Sequence, residues 1–227
     1  MYQALGRLLP KYLRRWVLHF EWSIEQAAGA FAQSLPAGAC VLDAGAGELQ
    51  YARLFEGRRY IAVDLGIGDA RWNYSRLDCI ADLALLPLAS GAFDACINIV
   101  TLEHIREPRE VLAELGRVLR PGGSLLLVVP HEWEVHQEPH DYYRYTLHGV
   151  RYLLEAAGFA EMRIEPVGGY FRLLARRLLN GLQFFPGPLF IVAGILVAVP
   201  AMLLPLLDGL DRQRHFTLGY ICTAIKS

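Results

Sequence analysis

Between residues 40 and 167, short apolar runs alternate with amphipathic stretches. This alternation predicts a mostly parallel sheet with helices on both faces. Strand-like runs fall at 40–43, 60–64, 95–100, 124–129 and 161–167, with a weaker one at 73–80. Helical spacing covers 49–55, 108–119 and the stretch from Thr146 to Ala157. Arg120-Pro121-Gly122-Gly123 ends the second of these helices. Thr146 is placed to cap the third, and Gly158 stands just past its end. One more strand is expected at 216–225.

The two remaining regions break the alternation. In the first, Leu5, Leu8, Leu9, Tyr12, Leu13, Trp16, Val17 and Phe20 fall at helical spacing, while Arg7, Lys11, Arg14 and Arg15 lie largely off that stripe. Such a helix can pack its apolar stripe on the sheet or lie on an anionic bilayer. In the second, residues 178–207 contain no charged residue and carry Pro186, Pro188, Pro200 and Pro205. That stretch is long enough to cross a bilayer once. If a final strand of the same sheet follows it, however, both ends must return to one domain, which a re-entrant or interfacial hairpin satisfies and a single crossing does not. Arg172, Arg176 and Arg177 before it, with Arg212 and Arg214 after it, suit an anionic membrane surface. The soluble alternative is an apolar arm buried in a dimer or against the first helix.

Composition adds three bounds. The chain has 227 residues, enough for one α/β domain with an addition. A net charge of −1 gives no electrostatic footprint for nucleic acid. The dispersed cysteines 40, 79, 96 and 222 read as reduced, strand-buried thiols of a reducing, cytoplasmic compartment, and the insert would place the protein at the cytoplasmic face of a membrane. No cleavable leader pattern is expected at the N-terminus.

The chemistry begins at Val41-Leu42-Asp43-Ala44-Gly45-Ala46-Gly47, a strand that breaks into a turn tight enough for a ligand to lie against bare backbone. Val63-Asp64 then brings a carboxylate to the tip of the next strand. In a doubly wound sheet this pairing binds an adenine nucleoside, the acid taking the ribose hydroxyls. Asp82, followed by Leu85-Leu86-Pro87-Leu88 and Phe93-Asp94, puts a further acid at a third strand tip, where it can accept from the adenine amine.

From Val41 to Phe159 the chain resembles the class I S-adenosylmethionine-dependent methyltransferases of the type 11 group. The resemblance continues through Leu102-Glu103-His104, through Glu114-Leu115-Gly116-Arg117-Val118-Leu119-Arg120-Pro121-Gly122-Gly123, and through Ala156-Ala157-Gly158-Phe159. It implies a Rossmann-like, seven-stranded, mostly parallel sheet with the last strand antiparallel. It also implies S-adenosylmethionine as cofactor, its methionine moiety in the glycine turn, its ribose on Asp64 and its adenine facing Asp82. The expected cofactor contacts are Asp43, Gly45, Ala46, Gly47, Asp64, Leu65, Asp82, Leu83 and Thr101. Leu49 stands where family members often carry a third glycine. The implied organisation is an amphipathic segment 1–35, a methyltransferase core 36–171, a hydrophobic helical insert 172–215 and the last strand 216–227.

The candidate catalytic residues are His104, His136 and His140. His104 follows the fourth strand, and the other two lie in the loop 131–146, which should form a lid over the active-site mouth. A histidine there can take a proton from a hydroxyl acceptor. The alternative is structural, with Asp141 and Arg144 paired and the tyrosines packed beneath the lid. His131, His136, His140 and Asp141 are competent metal ligands, but the prolines interrupt them, and no metal is expected. The acceptor is small or lipid-linked. Two rivals remain. One is a non-catalytic, membrane-attached scaffold that kept the fold. The other is a nicotinamide-dependent oxidoreductase, which the absence of a third glycine after Gly45 and Gly47 disfavours.

Overall fold

The computed structural model describes residues 15–68 and 71–227. The part of the amphipathic N-terminal segment up to Arg14 therefore lies outside the described residues. Seven strands form one sheet: β1 (Cys40–Ala44), β2 (Arg59–Asp64), β3 (Cys79–Ile80), β4 (Phe93–Ile99), β5 (Leu119–Pro130), β6 (Phe159–Val167) and β7 (Gly219–Lys226). Their order is β3-β2-β1-β4-β5-β7-β6. The pairs β1–β2, β1–β4, β2–β3 and β4–β5 are parallel. β7 runs against β6, because the Leu218 amide donates to Val167 at one end and the Ser227 amide donates to Gly158 at the other. Among the described residues, the α-helices of the fold are α1 (His19–Ser34), α2 (Pro108–Val118), α3 (Leu147–Ala156), α4 (Tyr170–Gly181) and α5 (Pro188–Leu203).

The described residues fall into two compact units. Ile24–Glu165 with Tyr220–Ser227 form the first, and the residues up to Ser23 with Pro166–Gly219 form the second. In the first, side-chain alternation divides the sheet into two apolar faces. Leu42, Leu125 and Leu127 pack with Val111, Leu112 and Leu115 of α2 in one core. On the other face, Ala27, Ala30 and Phe31 of α1 line a cleft with Leu126, Ile221 and Thr223. Pro108 starts α2 at a position that needs no amide donor. The helix buries Val111, Leu112, Leu115 and Val118, each contributing roughly 1.5–3 kcal/mol. Thr146 caps α3 by accepting from the Gly149 amide at 3.1 Å.

Several expectations are corrected. The helix expected at 49–55 shrinks to a 3-10 turn, Ala52–Phe55, because Gly47 and Leu49 both take left-handed backbone conformations and use the chain up in turns. The strand expected at 73–80 is only Cys79–Ile80. Upstream, Asn73 accepts from the Ser75 amide at 3.0 Å and the Leu77 amide turns back to Tyr74, so local hydrogen bonds compete with the ladder. β5 begins at Leu119 rather than Ser124, and the register slips between Phe93↔Leu119 and Ala95↔Ser124. The Arg120–Gly123 segment is therefore a bulge within the strand. The four cysteines are free thiols, and burial pushes Cys222 up to about 12.

In the second unit the insert forms α4, a 3-10 turn Leu182–Phe184, α5 and a further 3-10 segment Leu204–Leu210. Asp208 closes it: one carboxylate oxygen accepts from the Gly169 and Arg172 amides, both at 3.1 Å, at the start of α4. Asp211 accepts from the Tyr170 amide at 2.8 Å. The arm thus leaves and returns to one base. The arginines read as membrane-facing are largely committed here. Arg172 pairs with Asp208 at 3.3 Å, Arg214 with Asp208 at 3.6 Å, and buried Arg176 with Glu21 at 3.2 Å. From Pro188 to Leu210 the helical run is long and apolar enough to cross a membrane, and only 11% of its apolar window is buried.

Candidate active site

The carboxyl ends of β1, β2 and β4 converge on the glycine turn. The Gly45 and Ala46 amides donate to the Val63 carbonyl at 2.8 and 3.1 Å, which fixes the turn against β2. Gly45 has φ +89°, and the Thr101 side chain fills the space a Cβ there would need. Gly47 has φ +49°, with the Trp72 ring 3.2 Å from its missing Cβ. Trp72, which sequence reasoning passed over, thus lies against the turn, and Glu48 accepts from the Asn73 amide next to it at 3.2 Å.

Asp64 sits at the tip of β2. One carboxylate oxygen accepts from the Gly47 amide at 3.0 Å and the other from Gly66 at 2.8 Å. A carboxylate oxygen has two acceptor positions, so each keeps one for a hydroxyl donor. The carboxylate is held in place and can still receive a vicinal diol. Asp82 is exposed after β3, with one oxygen accepting from the Ala84 amide at 2.9 Å, and Leu83 is buried beneath it. Glu114 and Arg117 of α2 hold the loop that follows. Glu114 accepts from the Leu86 amide at 3.0 Å, and Arg117 donates to the Leu86 and Leu88 carbonyls at 3.0 and 2.8 Å. Asp94 works away from this edge, accepting from the Cys40 amide at 2.6 Å and pairing with Arg120.

Asp43 is buried, 2% exposed, and hydrogen-bonded to the Tyr60 hydroxyl. Burial raises its carboxyl to about 7. Ala46 is buried in the turn and Leu65 is exposed beyond Asp64. Thr101 donates toward the Gly45 carbonyl at 3.3 Å.

After β4 the chain makes a 3-10 turn, Leu102–His104, and the 131–146 loop is fastened around it. The Tyr142 amide donates to the Glu103 carbonyl at 2.9 Å, and the Tyr145 hydroxyl to Leu102 at 2.9 Å. Arg144 gives both ends of its guanidinium to Asp141, at 2.6 and 2.8 Å, and donates to the Trp133 and Glu134 carbonyls. That pairing holds the Asp141 carboxyl down to about 2. The structural pair and the lid are therefore the same object.

Of the three candidate histidines, His104 and His136 come together, with ring centroids 4.7 Å apart. His140 does not join them. Its carbonyl meets His104 Nδ1 at 2.6 Å, and its own ring lies 3.1 Å from the Tyr142 hydroxyl. His131 is turned to the Tyr145 carbonyl. Between the two clustered rings lies Glu103, fully buried, with Oε1 3.7 Å from His104 Nε2 and 3.9 Å from His136 Nε2. Burial pushes the Glu103 carboxyl up to about 8 and holds the His104 imidazole below its usual value. The His104 position was readable after β4. His136 was not, because its place depends on how Arg144 gathers the lid.

Known proteins agree with this geometry. Residues 42–127 match the family described as "Methyltransferase domain". A Mycolicibacterium smegmatis protein named "Probable S-adenosylmethionine-dependent methyltransferase" is 37% identical over 101 residues, 42% of this chain and 39% of that protein. The mouse tRNA (carboxymethyluridine(34)-5-O)-methyltransferase ALKBH8 is 33% identical over 113 residues, 48% of this chain and 17% of that protein. The chain thus spans less than two fifths of the length of these curated relatives. Among solved structures, Haemonchus contortus phosphoethanolamine N-methyltransferase 2 with S-adenosylhomocysteine superposes with a TM-score of 0.56 at 16% identity, covering 90% of this chain and 53% of that one. A tight glycine turn, a half-satisfied carboxylate at the tip of β2 and a further acid after β3 are a donor and acceptor set that fits S-adenosylmethionine. The seven-stranded sheet has the fold of the class I S-adenosylmethionine-dependent methyltransferases, and residues 42–127 are similar to the methyltransferase-domain family.

Proposed function

We propose that the whole chain is a methyltransferase acting on a small or lipid-linked acceptor at a membrane surface. The observation that carries the cofactor half is Asp64, pinned by the Gly47 and Gly66 amides yet with an acceptor position left on each oxygen. S-adenosylmethionine supplies a methyl group already activated on a sulfonium, so the protein's task is alignment of two reactants. In this reading Asp64 orients the ribose, Asp82 meets the adenine amine, and Gly45 and Gly47 let the backbone approach. Thr101 supports the turn from β4, and the lid shapes the acceptor side. Glu103, His104 and His136 form the polar centre against which an acceptor heteroatom is set.

The acceptor half rests on the arm. α5 is apolar all round and mostly uncovered, with Ile195 69% and Leu196 70% exposed. Single exposed apolar residues are ordinary, but a continuous apolar helix surface marks an interaction site. A hairpin tied at its base by Asp208 supports interfacial rather than single-pass contact. The mouse relative's name places its action on tRNA, but the near-neutral charge of this chain favours an uncharged or lipidic acceptor.

Calorimetric titration with S-adenosylmethionine, S-adenosylhomocysteine and NADH tests the cofactor half. Micromolar binding of the two sulfur nucleosides alone is expected, and binding of NADH alone would overturn it. Transfer of a labelled methyl from S-adenosylmethionine to the organic phase of a lipid extract tests the acceptor half. Transfer confined to the aqueous phase would sink the lipidic reading.

A further inference from the structure

We propose that Glu103, His104 and His136 form a binding site for a divalent transition-metal ion of the zinc class, beside the methyl-transfer site. Each of the three offers one donor atom, and the donors all lie within 4.8 Å of one another. His104 Nε2 and His136 Nε2 face the same carboxylate oxygen of Glu103 at 3.7 and 3.9 Å. In a tetrahedral zinc site, neighbouring donors are roughly 3.4 Å apart, given metal–ligand distances near 2.1 Å. The two histidine–carboxylate distances need to close by only about half an ångström, and no donor pair by more than about 1.4 Å.

Hydrogen bonding decides what the three groups present to one another. A carbonyl can only accept, so His104 Nδ1, 2.6 Å from the His140 carbonyl, must carry its proton. The same logic applies to His136 Nδ1, which lies 3.1 Å from the Glu134 carbonyl and 3.5 Å from Asp141. In its neutral form each imidazole therefore turns the Nε2 lone pair toward Glu103. Both carboxylate oxygens of Glu103 and the His104 Nε2 are buried without a hydrogen-bond partner. The donors nearest by are committed elsewhere. Arg144 goes to Asp141, Trp133 and Glu134, while the Tyr142 and Tyr143 amides go to the Glu103 backbone carbonyl rather than its carboxylate.

Three acceptor groups aimed at one point, with no neighbouring donor except a proton on Glu103 itself, suit a bound cation. Two histidines and one carboxylate are the ligand set of open zinc and ferrous sites, in which a remaining position takes an external ligand. A backbone carbonyl behind each imidazole is the second-shell arrangement that metal-bound histidines use. The remaining position would suit an acceptor hydroxyl or phosphate oxygen. The placement beside the methyl-transfer site rests on the proposed function, but the metal site itself does not. It also departs from the metal-free expectation of the sequence, which considered the lid histidines without Glu103.

The test is titration of chelator-treated full-length protein with Zn2+ by calorimetry and with Co2+ by its visible absorption. One ion per chain is expected, with an absorption signature of four-coordinate cobalt. Glu103→Gln and His136→Ala should each weaken binding at least 100-fold while remaining folded by circular dichroism, and His140→Ala should bind like the parent. Asp64→Ala should lose affinity for S-adenosylhomocysteine but keep the metal, so failure of the cofactor reading is distinguishable from failure of this one. Absence of one-to-one binding, or unchanged affinity in folded Glu103→Gln and His136→Ala, would overturn the proposal and leave a shared proton as the cation.

Discussion

The Thr101 side chain occupies the space that a Cβ on Gly45 would need, with Thr101 Cβ itself only 2.8 Å from that position. β4 therefore dictates glycine in the β1 turn, independently of any ligand. Gly45→Ala meets both this clash and the strain of φ +89°, and should cost about 2–4 kcal/mol of stability in denaturant unfolding. Thr101→Gly should restore a measurable part of that loss in the double variant, because the two residues share one volume. Strictly additive costs would show that the close approach is not the cause.

Asp64 is the most direct probe of the proposed cofactor site. Asp64→Ala should weaken S-adenosylhomocysteine binding by about 1.5–3 kcal/mol, the range for hydrogen bonds to a charged group. Calorimetry measures it, and unchanged affinity would remove Asp64 from the site. Part of any loss reaches the ligand through the turn, since Asp64 also accepts from the Gly47 amide. Asp64→Asn, which keeps one oxygen acceptor, should fall between the parent and the alanine variant.

Leu49 adopts φ +58°, a conformation that costs an ordinary residue about 1–2 kcal/mol. Glycine pays no such steric penalty. Leu49→Gly should therefore be more stable than Leu49→Ala by about 1 kcal/mol, since both lose the same side-chain packing and only alanine keeps the strain. Paired thermal unfolding curves decide this. Equal midpoints would mean that position 49 leaves the left-handed region when its side chain is shortened.

Asp43 gives a pH signature. Its carboxyl, raised by burial to about 7, keeps its proton in the folded chain over a range where the unfolded chain, near 3.9, has lost it. Between these values the native state holds the extra proton, so stability falls as pH rises, by roughly 1.4 kcal/mol per unit and roughly 4 kcal/mol in all. Below pH 4 the effect is absent, and above about 7 it is complete. The stability of the parent relative to Asp43→Asn should therefore decline by that amount from pH 4 to 8. Parallel curves would show that Asp43 titrates normally.

The sheet and the candidate cofactor edge were legible in the chain because both depend on short-range rules. Short continuous apolar runs ended at Asp43 and Asp64, the glycines marked the turn, and Pro108 and Gly158 bounded helices. Glu114 and Arg117, read as part of a family pattern, prove to clasp the Leu86–Leu88 backbone. What escaped depends on contacts between distant segments. Trp72 reaches Gly47 from a loop whose strand pattern is overruled by the turns at Asn73 and Tyr74. His136 reaches Glu103 only because Arg144 holds Asp141 and two carbonyls at once. The flanking arginines looked free in sequence, because nothing there reveals that Asp208 and Glu21 pair with three of them.

That pairing changes the expected mode of membrane contact. With Arg172 and Arg214 on Asp208 and Arg176 on Glu21, three of the five flanking arginines are engaged within the protein, whereas the arm's apolar surface is large. Flotation with liposomes should therefore recover the protein with the vesicles, and recovery should depend only weakly on salt. Replacing Ile195 and Leu196, each about 70% exposed, by glutamate removes two insertable side chains and adds two charges. At about 1.5–3 kcal/mol for each side chain, partitioning should drop by at least about 100-fold. Affinity for S-adenosylhomocysteine should be unchanged in that double variant, which shows that the core remains folded. Strong salt dependence with an intact apolar arm would mean that charge, not the helix surface, holds the protein to the membrane. Equal soluble recovery of parent and variant would leave the arm to a protein partner.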